Sequence, residues 1–206
     1  MATKTRERPK KLYICGLPFD IVNNENPNRT CEDVSTSYLD KQTINVMEDL
    51  PFPRWLSYVV GEIAVRLLEA AGYSGRTVRN AAVPFGPVLY RFIRENKFDW
   101  LHADNIKDPP PTVFINGMPY TITYDDAYLE VRHLYGEVCY TDLTIKVHSK
   151  LKAEAKAVVF LHEATHAMLY EARLINICGK ESLVEPISYL MYQLFKQNDF
   201  SFAYNS

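Results

Sequence analysis

Thr112-Val113-Phe114-Ile115-Asn116-Gly117-Met118-Pro119-Tyr120-Thr121-Ile122-Thr123 decides the fold, because it is the second occurrence of a pattern. Lys11–Val22 reads KLYICGLPFDIV and Thr112–Thr123 reads TVFINGMPYTIT, so Gly117 and Pro119 fall 101 positions after Gly16 and Pro18. Each copy sets a Gly-x-Pro turn signal among β-favouring residues, which predicts two short strands or one bent strand. The same spacing carries Thr43-Ile44-Asn45-Val46 onto Thr144-Ile145-Lys146-Val147, Glu62 onto Glu163, Leu68 onto Leu169 and Ala71 onto Ala172. One position more places Pro84 on Pro186, Tyr90 on Tyr192, Asn96 on Asn198 and Phe98 on Phe200. Identity is low, but a nearly gap-free register through one order of elements is the signature of a tandem duplication.

The expected fold class is α+β: two tandem units, each a small β-sheet followed by two helices, packed as a pseudo-twofold pair. Residues 1–10 read as a flexible basic tail, 11–102 as the first unit, 103–111 (ADNIKDPPP) as a Pro-rich linker and 112–206 as the second unit. In the first unit, 23–34 is a polar loop and Gln42–Glu48 a strand. A helix is expected over 54–72 after Pro51 and Pro53, and another over 80–97, interrupted near Pro84 and Pro87. In the second, AEAKA (Ala153–Ala157) leads an apolar run, which predicts one buried helix over 153–173.

Composition sets the outer limits. The chain has 206 residues, 47% hydrophobic and 23% charged, with a net charge of −2. That fits a globular core and shows no general nucleic-acid footprint. No apolar run reaches membrane-spanning length, and the basic N-terminus lacks the apolar segment of a signal peptide. Cys15, Cys31, Cys139 and Cys178 have no CxxC spacing and read as reduced thiols of a cytoplasmic protein.

The chemistry concentrates in His162-Glu163-Ala164-Thr165-His166. On a helix, residues four apart share a face, so the two imidazoles can bind one metal ion, with Glu163 beside them as a base toward water. Without partners, two imidazoles and a carboxylate in an apolar helix would be costly to bury, and a metal accounts for all three. In the first copy, Gly61 and Val65 stand where His162 and His166 stand in the second, and neither can bind zinc. The first unit is thus expected to have kept the fold and lost the metal.

A catalytic zinc takes three protein ligands. Glu171 lies about 500° of helical rotation past His166 and points off the histidine face. Glu185, in the apolar surroundings of Val184, Ile187, Leu190 and Met191, is the expected third ligand, and its counterpart in the first copy is Val83. Ser182-Leu183-Val184-Glu185 also has the form of a helix capping box. Glu181 is the second choice, with a solvated first-turn acid as its plainer reading.

The second half, about 112–202, resembles the ImmA/IrrE-like zinc metallopeptidases of phages and mobile elements. The likeness is carried by FINGMPYTI, LYGEVCYTDLTIKV, VVFLHEATHAMLYEA and LVEPISYLMYQLFKQN, in that order. It implies a compact zincin-like (minimal gluzincin) fold, one zinc per chain held by His162, His166 and Glu185, Glu163 as general base, and cleavage of a specific protein such as a repressor. The chain departs from that family's usual arrangement in carrying the degenerate copy where a helix-turn-helix is usual. The oxyanion needs a further donor, for which Tyr140, His148, Tyr170 and Tyr189 are the candidates.

The expected function is a zinc metalloendopeptidase acting on a protein partner in a regulatory or counter-defence role, in the host cytoplasm if phage-encoded. The expected state is a monomer with an internal pseudo-dimer, or a homodimer. The rival from another class is a non-catalytic binding protein on the same scaffold that captures a host protein. A nucleic-acid contact through the basic tail is the weakest reading.

Overall fold

The structure is a computed structural model that describes residues 7–24, 34–102 and 106–204. The beginning of the basic tail, Cys31 with most of the polar stretch around it, and the start of the linker lie outside these residues. The first unit comprises β1 (Lys11–Ile14), β2 (Leu17–Asn24), β3 (Ser35–Tyr38), β4 (Thr43–Met47), α1 (Phe52–Ala70) and α2 (Arg76–Glu95). The second comprises β5 (Thr112–Ile115), β6 (Met118–Thr123), α3 (Asp126–Arg132), β7 (Gly136–Cys139), β8 (Thr144–Val147), α4 (Ala153–Glu171), α5 (Ile175–Cys178) and α6 (Glu181–Gln197).

Two 4-stranded sheets result, ordered β1-β2-β4-β3 and β5-β6-β8-β7. In each, the outer pairs are antiparallel and the central pair parallel. The register repeats as well. Lys11 faces Asp20 as Thr112 faces Thr121, Ile21 faces Ile44 as Ile122 faces Ile145, and Ser35 faces Val46 as Gly136 faces Val147. The chain is α+β, built of two similar units, each a mixed sheet followed by helices.

The hairpin turns explain the first sequence signal. Cys15 and Gly16 have φ of 53° and 76°, and Asn116 and Gly117 have 52° and 82°. Positive φ at both central residues is the twist that a two-residue hairpin needs, and glycine accepts it without strain. Beyond the turns, alternate residues face inward: Leu12 and Ile14 are buried, as are Val113 and Ile115. Helices α1 and α4 cover the sheets with matching inner faces, Val59, Val60, Ile63 and Leu67 in one and Phe160, Leu161, Ala164 and Met168 in the other.

The units grip each other reciprocally. Asn96, just past α2, donates to the Phe114 carbonyl (2.7 Å) and accepts from the Phe114 N–H (2.8 Å) on β5. Asn198, just past α6, makes the same pair with the Tyr13 carbonyl and N–H on β1, both at 2.7 Å. Both asparagines are buried, so each replaces water for an edge strand of the other unit. Between them Phe98 stacks on Phe195 at 3.9 Å between ring centroids.

The structure differs from the sequence reading in several places. Pro84 and Pro87 lie inside one continuous helix that starts at Arg76. The carbonyls they leave without a partner belong to Asn80 and Val83, which are exposed and can be met by water. β3, α3 and α5 are additional elements, too short to carry a periodic apolar signal of their own. Arg8, within the segment expected to be a flexible tail, donates to the Glu48 and Leu50 carbonyls (2.8 and 2.6 Å) and lies over Trp55. No helix of the described residues is long and apolar enough to cross a membrane.

Candidate metal centre

α4 carries the motif across the middle of the second unit. His162 and His166 share the face that looks toward α6, with Nε2 atoms 3.1 Å apart. The short α5 turns the chain back, so α6 begins directly over them, and its first residue, Glu181, reaches both rings. Its carboxylate oxygens lie 3.1 Å from His162 Nε2 and 3.2 Å from His166 Nε2. The three side chains form a cluster whose ligand atoms all lie within 4.8 Å of one another.

The hydrogen bonds behind the rings decide what that cluster can hold. His166 Nδ1 faces the Cys178 carbonyl at 2.9 Å, and a carbonyl only accepts, so the proton sits on Nδ1. Ser188 gives its own proton to the Glu185 carbonyl (2.8 Å) and stands 3.5 Å from His162 Nδ1 as an acceptor. Both Nε2 atoms then point lone pairs at each other and at a carboxylate. Burial, then the neighbouring His166, lowers the pKa of His162 against the opposing pull of Glu181, which keeps the imidazole neutral. Three acceptors that converge without a donor fit a divalent cation, and two imidazole nitrogens with one carboxylate are a donor set suited to zinc.

Glu163 sits beside this cluster, 8% exposed. Burial, reinforced by the Glu181 charge, raises its pKa to about 8, against a backbone hydrogen bond from Val138 on β7. Its room is made by Gly136. A Cβ there would lie 2.5 Å from Val159 Cγ1 and 3.0 Å from Glu163 Cγ. The cluster opens on a groove of about 390 Å³ whose walls include Leu134, Tyr135, Gly136, His162, Glu185 and Tyr189. β7 is an edge strand of its sheet and forms one side.

The sequence candidates are placed as follows. His162, His166 and Glu163 come together. Glu181, the second choice of the two glutamates, joins them, and Glu185 does not. Glu185 is one helical turn further along α6, lining the groove outside the cluster. Of the four oxyanion candidates, Tyr189 lines the groove. Tyr140 and Tyr170 stack on each other at 4.2 Å behind the site, with the Tyr140 hydroxyl 3.2 Å from Cys178 Sγ. His148 pairs with Asp126 and Glu130 of α3 at 3.5 and 3.4 Å and fastens that helix. Glu171 points away, toward the Tyr120 hydroxyl at 3.4 Å. Cys15, Cys139 and Cys178 are free thiols.

Sequence reasoning passed over Gly136, His133 and Tyr135. His133 ends α3 in the left-handed region (φ 58°) and, with Tyr135, lines the groove. The duplicated register held a signal for Gly136, since its counterpart is Ser35, a change in side-chain size beside the one motif residue both copies keep. Comparison with protein-family models, curated proteins and solved structures found no match.

Proposed function

We propose that the chain is a zinc-dependent endopeptidase whose second unit is a zincin-like catalytic half of the ImmA/IrrE type, and whose substrate is a specific protein. The convergence of His162 Nε2, His166 Nε2 and the Glu181 carboxylate, with no donor among them, carries this reading. These three residues would hold the metal, and Glu185 borders the groove. When bound, zinc acidifies water and polarises the scissile carbonyl.

The chain's own residues supply the rest. An extended peptide lies along the free edge of β7, pairing through its backbone as an added strand. Glu163, held by the Val138 N–H, takes a proton from the attacking water and passes it to the leaving amine. A pKa raised toward neutrality suits both halves of that exchange. The Tyr189 hydroxyl is the donor within the groove for the developing oxyanion. The reciprocal Asn96 and Asn198 contacts support a role for the first unit as an internal packing partner.

Metal content per chain tests the reading. Elemental analysis should find one zinc in the wild type, lost on His166→Ala. No metal after gentle purification and zinc re-addition would sink it. A second reading, a binding protein that captures a host factor, is favoured by the loss of both histidines in the first unit. Under that reading the biological effect survives Glu163→Gln.

A further inference from the structure

The groove between α1 and α2 is the first unit's equivalent of the candidate metal centre. Gly61 takes the place of His162, Val65 of His166, Arg79 of Glu181 and Val83 of Glu185. The groove has not closed over: its volume is about 500 Å³, against about 390 Å³ for the groove in the second unit. Its chemistry has inverted. Where the second unit presents acid, the first presents Arg79 and a Val83 that is 74% exposed, with Tyr58, Pro87 and Tyr90 around it.

Val65 and Arg79 also border an adjoining cavity of about 420 Å³ that contains Arg66 and Arg76. The two carboxylates there are already engaged. Glu62 accepts from Ser35 and Ser37 (2.9 and 2.6 Å), and Glu69 pairs with Arg66 at 2.7 Å. Arg66 Nε–H is nonetheless buried without an acceptor, and Arg76 and Arg79 make no ion pair among the described residues. The result is one continuous trough, apolar at one end and cationic at the other.

We propose that this trough is a second, non-catalytic peptide site that binds an extended acidic segment of a partner protein. An apolar side chain packs on Val83 and its neighbours, and a carboxylate is taken by Arg79 and Arg76. Guanidinium forks suit carboxylates in this way. Charge complementarity selects the occupant: a nucleic-acid backbone would bring a row of phosphates against Glu62 and Glu69, whereas a single carboxylate meets the arginines alone. The proposal goes beyond the zinc reading and does not depend on it.

The test is fluorescence anisotropy of the full chain with a dye-labelled hexapeptide alternating leucine and glutamate. A chelator is present, so that no metal in the second unit can bind carboxylate. Saturable binding is expected, weakened about tenfold or more by Arg79→Glu and by Val83→Asp, both exposed helix positions. Unchanged thermal midpoints keep loss of binding separate from loss of fold. The proposal is overturned if wild type binds no better than Arg79→Glu, if a leucine-lysine peptide binds equally, or if a single-stranded oligonucleotide displaces the probe better than unlabelled acidic peptide. Failure of the zinc reading shows instead as absent metal, whatever the anisotropy.

Discussion

Glu62 and Glu163 occupy equivalent places on α1 and α4, and their surroundings have diverged completely. Glu62 is held by two hydroxyls, Ser35 and Ser37, on the neighbouring edge strand. Glu163 faces Gly136 and Val138 at the same two positions of β7, so no hydroxyl reaches it and burial raises its pKa. Around Glu62 the imidazoles are gone, and Gly86 approaches Gly61 so closely that a Cβ on it would lie 3.4 Å from the Gly61 Cα. In the second unit that pair is Ser188 and His162, a hydroxyl 3.5 Å from a ring nitrogen. The lesson is that a packed helix pair over a mixed sheet tolerates either set. Hydrogen bonds and close glycine packing stabilise one copy, while the other gathers two imidazole nitrogens and a carboxylate beside a buried acid.

The sharpest way to break the comparison is Glu163→Gln beside Glu62→Gln. The first should cut hydrolysis of the target roughly a thousandfold with metal content unchanged, since general acid–base groups contribute on that scale. The second should leave the rate alone. Equal rates in all three proteins would end the idea of one live and one lost site.

Next come the two glutamates of α6. Glu181→Ala should weaken zinc binding by more than the roughly 10–100-fold that loss of an outer partner costs, and Glu185→Ala by less. Competition with a chromogenic chelator measures both, and the opposite ranking would return the third ligand to Glu185.

In the metal-free protein, stability should depend on pH through Glu163. The folded chain keeps that proton up to about pH 8, whereas the unfolded chain releases it near 4.5. Between those values the unfolded state binds fewer protons, so stability falls as pH rises, by at most about 1.4 kcal/mol per pH unit. Urea midpoints of chelated protein should show the fall, and Glu163→Gln should flatten it. A flat wild-type profile would remove the basis for a desolvated carboxyl.

Asn96→Ala and Asn198→Ala probe what the units still share. Each leaves a strand N–H and carbonyl of the other unit unpaired in the interior, at a cost of about 2–3 kcal/mol. Equal losses in chemical denaturation are expected, and a loss confined to one variant would mean the reciprocal contacts are not equivalent. The smallest effect concerns the ends of α1 and α4. Gly72 (φ 102°) and Arg173 (φ 59°) both sit in the left-handed region just past the helix. Arg173→Gly should therefore stabilise by about 0.5–1 kcal/mol, read as a rise in thermal midpoint.

Much of this was legible in the chain. The Gly-x-Pro pattern marked both hairpins, the register of the repeat anticipated the register of the sheets, and His162-Glu163-Ala164-Thr165-His166 marked the helix face on which the two imidazoles meet. β3 and α3 were not legible, because a polar edge strand and a seven-residue helix have no apolar period to read. Which glutamate stands against the two histidines was hidden for another reason. Glu181 and Glu185 are both acids near the start of one helix, and their spacing from His166 suits either.

By itself the sequence determined the two similar units, their hairpins and long helices, and the pair of imidazoles on one helix face, because these depend on local periodicity and turn geometry. The tertiary structure alone decided that α5 brings the first turn of α6 over the histidines, that Gly136 opens the space Glu163 fills, and that the equivalent place in the first unit is an open groove. Those outcomes depend on how separate segments meet, and distances between segments are set by packing rather than by spacing along the chain.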